Sequence, residues 1–139
     1  MSSRWTLLAL CVLAVGCTQQ SGPPRVHLKG TVAYQGKPLE VGTIRITPLP
    51  GTEVPMTIIE FKDGKYDSHS DGGTGVPIGK HRVEINAYTA AEYAKRSGGG
   101  PFDPPPTNLL PAKFNENSTL ELDLSSPPGP EMDHPFELK

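Results

Sequence analysis

Strict two-residue alternation recurs along this chain, broken by glycine and proline, and no other feature limits the fold as much. Val26, Leu28, Gly30, Val32 and Tyr34 alternate with His27, Lys29, Thr31, Ala33 and Gln35. Successive side chains of a strand point to opposite faces, so this spacing predicts a strand with one buried and one wet face. Ile44 and Ile46 repeat the pattern, as do Val83, Ile85 and Ala87, and then Leu120, Leu122 and Leu124. Met56 to Phe61 is a β-rich run that leads into Asp63-Gly64, a hairpin signal. Residues 65–69 read as its polar return strand, placed at a sheet edge. Phe136 and Leu138 supply a closing strand. The chain carries 15 Gly and 16 Pro in 139 residues, a content that without periodicity would suit disorder. The alternation assigns those residues instead to turns between short strands, such as Gln35-Gly36-Lys37-Pro38.

About seven strands with clean alternation predict an all-β domain, a seven-stranded antiparallel β-sandwich, with a barrel of similar size as the alternative. Thr89-Ala90-Ala91-Glu92 has capping-box spacing, which predicts one or two helical turns over residues 90–96. Residues 97–113 contain Gly98-Gly99-Gly100 and Pro104-Pro105-Pro106 and read as a long loop. Such loops are either insertions or binding elements. In the second case Phe102, Leu109 and Leu110 would be its apolar contacts.

The N-terminus carries a separate signal. Arg4 precedes an uninterrupted apolar run from Trp5 to Val15, too short to span a bilayer and of signal-peptide size. The run ends in Leu13-Ala14-Val15-Gly16-Cys17, which resembles a lipobox, although Ala14 stands where such boxes usually carry leucine. The resemblance implies a lipoprotein signal peptide over residues 1–16, lipidation at Cys17, a lipidated tether over residues 17–24 and a β-sandwich domain over residues 25–139. The cysteine count fits. Of two cysteines, Cys11 lies in the segment to be removed, and Cys17 would otherwise be a lone thiol in an oxidising compartment. Stable anchoring takes more than one acyl chain, which a diacylated cysteine supplies. The expected location is the cell envelope, on a periplasmic or surface face, with the membrane as partner through the lipid.

Thirteen basic against 15 acidic side chains leave a formal net charge of −2 without a basic patch, so nucleic acid is not an expected partner. The run Gly30-Thr31-Val32-Ala33-Tyr34-Gln35-Gly36-Lys37-Pro38-Leu39 is followed by Gly42-Thr43-Ile44 and Asp63-Gly64-Lys65-Tyr66. Pro77-Ile78-Gly79-Lys80-His81-Arg82-Val83 and Leu110-Pro111-Ala112-Lys113-Phe114-Asn115 come next. In this order the motifs resemble the bacterial carboxypeptidase-regulatory-like, or transthyretin-like, lipoproteins. The resemblance implies a prealbumin-type sandwich and no defined activity. The Tyr-Arg-Gly-Ser ending of the transthyretin-like hydrolase of urate breakdown is absent; this chain ends Phe136-Glu137-Leu138-Lys139.

Other chemistry finds little support. Residues 75–80 lack the first glycine and the Ser or Thr of a phosphate loop. His27, His69, His81 and His134 show no zinc spacing, and Asp63, Asp67 and Asp71 lack the calcium-loop pattern. His69-Ser70-Asp71 has triad residue types, but adjacency in sequence makes no relay. No catalytic residue, metal or cofactor is expected. The leading expectation is a non-catalytic, membrane-anchored envelope lipoprotein, a structural or protein-interaction module that offers residues 65–69 as an edge to a partner strand. The alternative is an extracytoplasmic ligand-binding module for polysaccharide or peptide, with Tyr88, Tyr93 and Phe102 as contacts.

Overall fold

A computed structural model describes residues 22–98, 100 and 102–139. The expected signal peptide and lipidation site, residues 1–16 and Cys17, lie outside the described residues. The elements are β1 (Arg25–Tyr34), β2 (Lys37–Pro38), β3 (Val41–Pro48), β4 (Thr57–Lys62), β5 (Lys65–Asp67), β6 (Val76–Pro77) and β7 (Lys80–Tyr88). After them come α1 (Ala90–Gly98), β8 (Leu120–Asp123), β9 (Glu131–Asp133) and β10 (Phe136–Leu138). The all-β class holds. The strands join in one sheet, in the order β10-β1-β5-β4-β3-β7-β8, which curls into a half-barrel.

β1 organises the sheet because it is long enough to serve five neighbours. Along one edge it pairs antiparallel with β6 at Arg25 and Val26, with β5 at residues 29–31, and with β2 at Ala33 and Tyr34. Along the other it runs parallel to β9 and β10. The register His27↔Glu131 continues unchanged as Val32↔Phe136, so β9 and β10 behave as one strand. Pro135 divides them because it has no N–H to give to the ladder.

The alternation predicted from the sequence fills the curl. Leu28 and Val32, Ile44 and Ile46, Ile59 and Phe61, and Val83 and Ile85 are buried, joined by Leu122, Phe136 and Leu138. Burial of each such side chain contributes about 1.5–3 kcal/mol. The turns follow their chemistry. Gln35-Gly36 and Asp63-Gly64 have positive φ at both positions, the conformation that matches the twist of a two-residue hairpin.

Two expectations are corrected. Residues 65–69 do not form an edge: β5 pairs with β4 on one side and with β1 on the other. Its polarity reflects an outward face, with Lys65 exposed while Tyr66 is buried between them. Nor is the second half of residues 97–113 a free loop. Asn108 Oδ1 accepts from the Ala87 and Leu110 amides at 3.1 Å each, and the Leu109 amide donates to the Ala87 carbonyl. Leu110 is therefore a core residue rather than a binding contact.

Candidate functional site

α1 starts where the sequence places it. The Thr89 hydroxyl accepts from the Glu92 amide, and the Thr89 carbonyl accepts from the Tyr93 amide, so Thr89 caps the first turn. Glu40 takes the Ala90 amide as well. Held in this way, α1 sends the Tyr93 hydroxyl to Glu60 on β4 at 2.7 Å. Burial, and then that carboxylate, push the Tyr93 phenol above its ordinary pKa.

Beside Tyr93 lies a cleft of about 920 Å³. It runs from α1, where Ala90 and Ala94 line it, over Val41 to the place where β4 and β5 part. Its far end is walled by β1 and by Asp67, Ser70 and Asp71. Six carboxylates line it against three lysines. Lys29, one of those lysines, is bound to Glu131, which raises the lysine's pKa and lowers that of the glutamate. The result is an amphipathic, predominantly anionic trough.

Next to that wall, outside the residues that line the cleft, lies a histidine pair. His27 Nε2 meets Asp67 Oδ1 at 2.7 Å, and His27 Nδ1 lies 3.1 Å from Glu131 Oε2. The His69 ring stacks on His27 with centroids 4.0 Å apart. The β1–β5 register explains the stack, because it carries on past Lys29↔Asp67 to bring residue 69 opposite residue 27. The His69 amide, chiefly, holds the Asp67 carboxyl below its usual range, with His27 adding to the effect. Among the described residues no group of three or more His, Cys, Asp or Glu side chains has the arrangement to hold a metal ion.

Of the aromatic residues that the sequence offers for ligand contact, the structure brings two together. Tyr88 and Tyr93 lie 6.1 Å apart, and only Tyr93 lines the cleft. Tyr88 is 9 % exposed and acts as a support. Phe102 is 97 % exposed and does not line the cleft. Sequence reasoning missed the carboxylate lining. Asp63, Asp67 and Asp71 are visible as a cluster near one hairpin, but Glu40, Glu60 and Asp133 come from distant segments. Compared with known proteins, the chain matches no family model, no curated protein and no solved structure.

Proposed function

We propose that this chain is a lipid-anchored, non-catalytic module of the bacterial envelope, and that it binds a partner protein through the cleft beside Tyr93. The observation that carries the reading is the cleft: an open amphipathic trough with one half-exposed aromatic, fixed by the Tyr93–Glu60 hydrogen bond. Binding sites combine apolar lining with a few placed polar groups in this way. The anchor rests on the lipobox-like run ending at Cys17. In this reading the half-barrel is the curled form of a prealbumin-type β-sandwich, as the order of sequence motifs implies.

Cross-linking in intact cells, followed by capture of the chain, tests the binding. A protein captured reproducibly with the native chain and lost with Tyr93→Ala supports it. Capture unaffected by that variant sinks it. The anchor is tested separately, since a Cys17→Ala chain that still fractionates with membranes contradicts lipidation. The Tyr88–Tyr93 pair favours a second reading, polysaccharide binding, because a supported ring offers a flat apolar face to a sugar. Recovery of polysaccharide without protein would select it.

A further inference from the structure

β4 is paired unevenly. Against β3 it forms six residue pairs, from Ile46↔Thr57 to Val41↔Lys62. Against β5 it forms two, Phe61↔Tyr66 and Lys62↔Lys65. β5 then follows β1, with Lys29 opposite Asp67, and the sheet splits there. Residues 57–60 keep one edge without a strand beside it. Among the described residues, no backbone hydrogen bond from a loop or turn reaches them either. Half the residues of an edge strand direct N–H and C=O groups outward, so this stretch offers roughly two donors and two acceptors.

The surface around that edge is unusual for solvent-facing sheet. Ile58 is 52 % exposed, and Met56, two residues earlier, is 51 % exposed. Glu60 follows on the same face, and Asp67 and Asp71 stand across the split, in the cleft wall. Ile59, between Ile58 and Glu60, is buried.

We infer that residues 57–60 of β4 accept an added strand from a partner protein, an extended segment alternating apolar and basic residues. This rests on the partner-binding reading of the cleft and specifies its chemistry. Backbone pairing would continue the sheet across the split. The partner's inward side chains would lie beside Ile59 and so must be apolar. Its outward side chains would lie between Glu60, which also accepts from the Tyr93 hydroxyl, and Asp67 and Asp71. Lys62 and Lys65 close the split, so lysine or arginine is selected away from that end, where the six carboxylates of the trough outnumber its three lysines. A second copy of this chain fits less well: its own β4 would bring another Glu60 into a trough that is already anionic.

The test uses the full-length protein in detergent micelles and a fluorescent synthetic peptide of alternating valine and lysine, read by anisotropy. Saturable binding is expected. It should weaken about tenfold or more when alternate peptide amides are N-methylated, because strand addition needs those donors. Ile58→Thr and Glu60→Gln should each weaken it about threefold to fivefold, as expected for partly exposed contacts. Equal binding of the N-methylated peptide, or of a peptide with its lysines and valines in separate blocks, would reduce the effect to charge attraction and overturn strand addition. So would no binding at all. Self-association of the protein that Ile58→Thr abolishes would assign the edge to a second copy and overturn the proposed partner. Capture in cells through Tyr93 is read independently, so the broader reading stands or falls on its own experiment.

Discussion

The Tyr66 hydroxyl donates to the His134 carbonyl at 2.6 Å, across the strand that lies between them. The β1 residue between the two is Gly30, and a Cβ built there would stand 2.5 Å from that same carbonyl oxygen. The absence of a side chain on β1 lets β5 and the C-terminal edge meet over it. Burial pushes the Tyr66 phenol well above its ordinary pKa, so the hydroxyl stays a donor. Tyr66→Phe should cost about 1 kcal/mol, the usual worth of one hydrogen bond. Gly30→Ala should cost more, roughly 2–3 kcal/mol, because backbone must move. Urea denaturation of the two variants tests the ranking.

His134 sets a pH dependence. Burial lowers its pKa below 6.5, partly offset by Asp133. The unfolded chain therefore takes up the proton first. Stability from this group is complete above about pH 6.5 and is lost as pH falls through the lower, folded value. The urea midpoint should drop between about pH 7 and pH 5, and His134→Gln should flatten that slope. Asp67 and Glu131, both held below their usual ranges, add a second loss at more acidic pH.

Thr89→Ala should destabilise α1 by about 1 kcal/mol through loss of the cap. Hydrogen exchange in α1 should speed up while β3 and β7 keep their protection. Because Tyr93 reaches Glu60 only from a formed first turn, partner capture should weaken in the same variant.

Asn108 fastens the end of its loop to β7 by accepting two amide donors and donating to Asn86 at 2.9 Å. Asn108→Ala should cost roughly 2 kcal/mol. Limited proteolysis should then cut faster within residues 102–107, whereas Phe102→Ala, at an exposed position, should leave the rate and the stability unchanged.

Much of the sheet was legible because alternation is a local signal. β1, β3, β7, β8 and β10 fall where apolar residues recur at every second position, β4 falls in the β-rich run that leads into Asp63-Gly64, and the Thr89 cap marks the start of α1. The short strands β2, β6 and β9 were not legible. Each has two or three residues and exists because β1 is there to receive it. The position of β5 was hidden for a related reason, since an exposed lysine reads the same on an outward face as on an open edge. At the candidate site, Tyr93 could be singled out from composition, but its pairing with Glu60 joins residues 33 apart in sequence. The exposure of Ile58 looked like one more strand position in an apolar run.

The order in which β1 acquires its partners follows from the topology. Among the described residues β1 is the first strand, and two of its five neighbours, β9 and β10, are the last. If the chain threads N-terminus first across a membrane, β1 emerges with one edge bare and keeps it bare until residues 131–138 have followed. During that interval the stretch from His27 to Tyr34 is an unguarded template for misplaced pairing, the kind of surface a holdase would shield.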